Sequence, residues 1–255
     1  YTGPVIVAER SSPGTKRPTK IRWVNMLGDT VGSKVTAWVT STDQTLHWAD
    51  PNMQMGSLLN YAGPIPAVPH LHGGEVPPVL DGGPDAWFLS QAALNYPTYM
   101  MHGHAYYSFP GAADNEAIYH YPNTQEAADI WFHDHALGIT RLNVYAGIAG
   151  GYILHDTGNP PPGDLGDVAG AAKIIPLVIQ DRMFDITGQL FFPNVGLNPE
   201  HPFWVPEFVG DVICVNGKSW PYLTVNKKRY RFLFLNGSNA RFYDMFLVDP
   251  VTGVK

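Results

Sequence analysis

One cysteine, Cys214, is the only thiol in 255 residues, which excludes an internal disulfide and any Cys-rich zinc or iron–sulfur site. Long apolar runs are missing too: none approaches the roughly 18 consecutive residues that a membrane-spanning helix needs. Charge is scarce, at 15% of residues, and its balance is acidic, a formal −6. The nearest thing to a basic patch is Lys227-Lys228-Arg229. Three residues at the start of an expected strand are not a basic stripe, so nucleic acid is not an expected partner. Sustained 3.6-residue periodicity is absent as well, and residues 125–128 offer one helical turn at most. The opening Tyr1-Thr2-Gly3-Pro4 matches neither a secretion signal nor an initiator methionine. The expectation is a chain that begins partway into something longer.

What is abundant suits short buried strands joined by turns: 45% hydrophobic residues with 26 Gly and 23 Pro. At this length one large domain or two ordinary ones fit. Strand-like runs fall at residues 5–8, 20–24, 35–39, 67–72, 129–135, 146–154 and 174–179, so the expected class is all-β. The Pro-, Gly- and Asp-rich stretch 156–170 reads as a linker. That divides the chain into a first domain over 1–156, a linker over 157–170 and the first part of a second domain over 171–255. A weak internal echo agrees: a Pro-started strand leading to an Arg-containing strand ending in Asn occurs at 3–8 and 21–25, then again at 220–225 and 230–236.

Against this background stand two His-x-His pairs, His70-Leu71-His72 and His133-Asp134-His135. Residues i and i+2 of a strand point to the same side. Each pair can aim two imidazoles at one spot, and four delivered together can enclose more than one metal ion. Both pairs lie at expected strand ends, beside Gly73-Gly74 or small residues. Neutral imidazole suits copper, zinc, iron and nickel alike, so the ligand type does not choose the metal.

The segments His70-Leu71-His72-Gly73-Gly74, 81–88 (Asp-Gly-Gly-Pro-Asp-Ala-Trp-Phe) and 131–147, together with Val215-Asn216-Gly217-Lys218-Ser219-Trp220-Pro221-Tyr222, resemble the multicopper oxidases. The similarity is to the branch holding the spore-coat laccase, the bilirubin oxidases and phenoxazinone synthase, and runs from about Gly3 to Asn239. The resemblance implies cupredoxin domains, Greek-key β-sandwiches, with the first nearly complete here and the second begun. It implies copper: His70 on the type 2 ion, and His72, His133 and His135 on the type 3 pair of a trinuclear cluster that reduces dioxygen to water. Asp81 would assist proton delivery there, although locally it is also a turn residue before Gly82-Gly83. Asp134 reads as an acceptor behind the ligands. The implied reducing substrate is a small aromatic such as a phenol, and secretion is the family's habit.

Departures from the family pattern are large. No Cys flanked by histidines and no further His-x-His pairs are present, and Cys214 reads as a buried strand residue, not a type 1 ligand. The strands expected before Gly3 are missing. The implied chain supplies half of the cluster's ligands, and its partner is the remainder of the same oxidase, which nicking would leave as a second chain. Two other readings stay open. A cupin-like mononuclear site resembles His70-x-His72-x-x-Glu75, but leaves His133 and His135 unexplained. A non-catalytic copper-binding cupredoxin module is the other. His102-Gly103-His104 after Met100-Met101 gathers soft ligands, but the Gly and the loop-like setting favour a solvated or packing role. His47, His120, His155 and His201 read as structural, and Asn236-Gly237-Ser238 is a formal glycosylation acceptor at a strand end.

Overall fold

The computed structural model describes residues 3–28, 46–53, 61–90, 96–159, 174–193, 207–227 and 230–255. In chain order the described strands and α-helix are β1 (Ile6–Glu9), β2 (Thr19–Val24), β3 (Pro69–His72), β4 (Glu116–Tyr121), β5 (Asp129–Asp134), α1 (Thr140–Ala146), β6 (Ala149–His155), β7 (Ile174–Arg182), β8 (Val212–Val215), β9 (Lys218–Ser219) and β10 (Arg231–Asn236), with short 3-10 helices at Pro78–Leu80 and Thr98–Met100. The all-β expectation holds, with one two-turn helix added.

Four strands form a sheet in the order β1-β6-β5-β3, with β1 parallel to β6 and the other neighbours antiparallel. A β2–β4 ribbon covers one face of it. Between the two layers lie Leu71, Phe132, Tyr152 and Leu154 from the sheet and Ala117, Tyr119 and Tyr121 from the ribbon, all buried. Alternation along each strand makes this possible: every second residue points in. Gly150 is needed opposite Phe132, because a Cβ there would fall 2.3 Å from the Pro4 carbonyl and 2.7 Å from the Phe132 ring. The Phe132 ring then packs against Trp23 of the ribbon at 5.0 Å.

The later residues form a second sheet, β10-β7-β8-β9, with β10 parallel to β7. Tyr145 of α1 joins the two parts: its hydroxyl accepts from the Met183 amide (2.8 Å) and donates to the Phe191 carbonyl (2.7 Å). The buried Arg182 guanidinium stacks on its ring at 4.8 Å.

Several expectations need correction. Residues 140–146 are helical, where the sequence reading saw only a small-residue stretch; Leu142, Asn143 and Tyr145 form its buried face. The expected strand at 146–154 therefore begins at Ala149. Residues 125–128 form bends, not a helical turn, and residues 220–225 form no strand. Tyr222 is fully exposed there, so the second half of the internal echo lacks a strand to match β1. The expected strand 35–39, His201 and linker residues 160–170 lie outside the described residues.

Candidate metal centre

β3 and β5 pair so that His70 stands directly across from His133, and His72 across from Trp131. The intervening Leu71 and Phe132 face the sandwich core, which leaves the imidazoles on the other face. His135 follows β5, its amide donating to the Val68 carbonyl at 2.9 Å and carrying the pairing one step further. The four rings meet: His70 lies 4.7 Å from His135, 5.4 Å from His133 and 5.5 Å from His72, and His133 lies 5.3 Å from His72 and 5.8 Å from His135. One nitrogen from each of His70, His72 and His133 falls within 4.8 Å of the others. Glu75, the third ligand of a cupin-like reading, is exposed and outside this group.

Hydrogen bonds fix which nitrogen of each ring looks inward. The His70 Nδ1 lies 2.6 Å from the Asp81 backbone carbonyl, and the His133 Nδ1 2.6 Å from the Asp134 carbonyl. A carbonyl only accepts, so both Nδ1 atoms carry protons and both Nε2 atoms present lone pairs. His72 turns its Nδ1 toward the His133 Nε2 at 3.1 Å. The Gly82 backbone carbonyl lies within hydrogen-bonding reach of the His135 ring.

Two carboxylates stand behind the rings. Asp81 ends a 3-10 turn at Pro78–Leu80, and its Oδ1 is 3.4 Å from the His70 Nδ1. The next residue, Gly82, has φ +68°, and a Cβ on it would fall 1.9 Å from the Pro69 carbonyl. Only glycine lets the Asp81 carbonyl reach His70 across the start of β3. Asp134, fully buried, accepts from the Val68 amide (3.0 Å) and the Ala136 amide (2.9 Å). Asn143 of α1 supports it and also donates to the Pro66 carbonyl at 2.9 Å. This network clamps the segment entering β3 to the segment leaving β5. Asp134 is therefore an acceptor of backbone amides behind the histidine rings.

Burial disfavours the charged form of two of the rings. Desolvation, helped by the neighbouring rings, pushes the His133 pKa down to about 4, and burial lowers His135 as well. Burial raises Asp134 to about 7 against the pull of its amide donors. The two shifts act on stability with opposite sign. Below the ordinary imidazole pKa the unfolded chain takes a proton that folded His133 refuses, so its cost grows as pH falls from 6.5 to about 4. Asp134 keeps a proton that the unfolded chain releases, so its cost grows as pH rises from 3.8 to about 7. A His133→Asn variant isolates the first. The stability of the metal-free parent relative to this variant should rise by about 3 kcal/mol between pH 4 and 6.5 and stay level above, as read by urea unfolding. A gap that does not change with pH contradicts the assignment.

The sequence reading missed Trp131, which shares the imidazole face and packs on His133 at 4.4 Å and His72 at 5.4 Å. Its position two residues before His133 was the available signal. Cys214 is buried in β8, Sγ 3.7 Å from the Ser219 hydroxyl, away from the histidine group. The Asn236 amide donates to the Arg241 carbonyl. His120 stacks on Phe109 at 4.0 Å.

No protein-family model matches the chain. It is 35% identical over 254 residues to a laccase of Bacillus subtilis, covering 97% of this chain and 42% of that protein. Over 190 residues it is 42% identical to multicopper oxidase LPR1 of Arabidopsis thaliana, covering 72% of this chain and 29% of that protein. Among solved structures, a variant of the McoA multicopper oxidase of Aquifex aeolicus superposes with a TM-score of 0.54 at 25% identity, over 93% of this chain and 36% of the other. The chain thus spans about two-fifths of the length of the laccase it matches.

Proposed function

We propose, from the premise that the chain belongs to the multicopper oxidase family, that its four clustered histidines are copper ligands. His70 would hold a type 2 ion, and His72, His133 and His135 a type 3 pair. Copper is the family's cofactor, and the donor set suits it: Nε2 lone pairs from His70 and His133, with the His72 and His135 rings beside them. When bound, copper supplies one-electron redox chemistry and the reduction of dioxygen to water.

The chain's own groups set the terms of that chemistry. The Asp81 and Asp134 carbonyls hold the Nδ1 protons of His70 and His133, which keeps both rings in the ligating tautomer. The Asp81 carboxylate, half exposed and 3.4 Å from the His70 Nδ1, stands where protons can be handed from solvent toward the site. The sandwich core behind Leu71 and Phe132 walls the rings off from water on one side. His72 is exposed on the other, the side on which the remainder of the oxidase would add the missing ligands and the electron-accepting type 1 site. The whole protein is then a laccase-type, secreted oxidase that takes single electrons from small aromatic reductants such as phenols.

The convergence of tautomer-fixed imidazoles from two paired strands carries this reading. Pulsed electron paramagnetic resonance of the chain loaded with one equivalent of Cu(II) tests it. Modulation from at least two imidazole remote nitrogens is expected, and it should weaken in His70→Ala. Copper bound through oxygen ligands alone contradicts the reading.

A further inference from the structure

A second group of soft donors lies outside the histidine cluster. Residues 100–104 run beside residues 85–89: the Leu89 amide donates to the Met101 carbonyl at 2.9 Å, the Gly103 amide to the Trp87 carbonyl at 2.8 Å and the Ala105 amide to the Asp85 carbonyl at 3.1 Å. Past the 3-10 turn Thr98–Met100 the segment pairs with residues 85–89 through the Phe88–His102 bridge. Met101 enters the core, 2% exposed, and Gly103 packs so closely that a Cβ would lie 2.2 Å from the Asp85 carbonyl. Met100, which ends the 3-10 turn, and His102 and His104 are more exposed. They line a cleft of about 520 Å³ together with His47, Met53 and Asp85.

The rings in this cleft are prepared for a ligand's role. His102 stacks flat on Tyr106, centroids 3.7 Å apart at 4°. Its Nε2 lies 2.7 Å from the Asp114 backbone carbonyl, so that nitrogen carries the proton and Nδ1 keeps the lone pair. A backbone carbonyl holding the far nitrogen is the arrangement that orients metal-bound imidazoles generally. The His104 Nε2 lies 3.9 Å from the Asp85 carboxylate. Met53 is 71% exposed and the His104 side chain 84% exposed, so both can turn onto an ion without disturbing the core. The Gly between His102 and His104, which on sequence favoured a packing role, instead leaves space for Trp87 and allows the two rings to share a face.

We propose that this cleft is a binding site for a soft monovalent metal ion, Cu(I), held by the thioethers of Met53 and Met100 and the imidazoles of His102 and His104. Thioether sulfur selects Cu(I) over harder cations, and mixed imidazole–thioether sets suit it. The site stands apart from the histidine cluster and does not depend on the reading given to that cluster.

The test uses the chain labelled with methyl-13C methionine and titrated anaerobically with Ag(I), a redox-inert stand-in for Cu(I). The methyl resonances of Met53 and Met100, assigned from Met53→Leu and Met100→Leu, should shift within the first two equivalents. Those of Met26 and Met245, which are 73% and 53% exposed and outside the cleft, should stay in place. Zn(II) should move none of the four. His102→Phe, which preserves the stack on Tyr106, should weaken the Ag(I) response about tenfold. No shift at Met53 and Met100, or equal shifts at Met26 and Met245, overturns the proposal, as does an unchanged response in His102→Phe.

Discussion

His133→Ala should lower the copper affinity of the cluster by about 100-fold or more, because it deletes a ligand, whereas changes behind a ligand already cost 10- to 100-fold. Its position explains the size. His133 is the buried member of the group, 7% exposed, and packs against all three of the other rings. Its loss removes the Nε2 lone pair and the group that His72 faces at 3.1 Å. The fold should tolerate the change, since the imidazole is held by one backbone carbonyl and sits on the outer face of the sheet. Competition with a chromophoric chelator measures the affinity. His120→Ala serves as the control: that ring stacks on Phe109 and its loss should leave copper binding within about twofold of the parent. Equal losses in the two variants would mean that the effect is general destabilisation.

Gly82→Ala should be the most damaging change that touches no ligand. An alanine at φ +68° costs about 1 kcal/mol, and a Cβ 1.9 Å from the Pro69 carbonyl forces the turn away from β3, adding about 1 to 3 kcal/mol. Displacing the turn also carries off the Asp81 carbonyl that holds the His70 Nδ1 at 2.6 Å. The variant should therefore lose about 2 to 4 kcal/mol of stability in urea unfolding and bind copper at least tenfold more weakly. Gly83→Ala is the matched comparison. No atom lies within 4 Å of a Cβ built there, so it should be close to neutral in both measurements. Neutrality at Gly82 would show that the turn does not position His70.

The imidazole cluster was legible in the sequence because its logic is local. A strand's two-residue period puts His70 with His72 and His133 with His135 on one face, and the bulky Leu71 and Phe132 next to them on the strands had to go to the core. The strand cores at 20–24, 129–134 and 174–179 were legible for the same reason. The helix at Thr140–Ala146 was not. Two turns carry too little periodicity, and its Thr, Val and Tyr favour strands; burial of Leu142 and Tyr145 against residues from the second half of the chain decides the matter. Residues 220–225 read as a strand from their composition, yet they lack a pairing partner. Trp131, Gly82 and the Asp134–Asn143 clamp depend on contacts between segments distant in sequence. Their role appears only once β3, β5 and the turn after Leu80 are brought together.

Anomalous diffraction at the copper edge, from crystals of the copper-loaded chain, decides whether these four imidazoles hold the metal. An anomalous peak is expected within bonding distance of the His70 and His133 Nε2 atoms, with the His72 Nδ1 turned toward it. Copper found elsewhere, with these four rings still hydrogen-bonded only to protein, would contradict it.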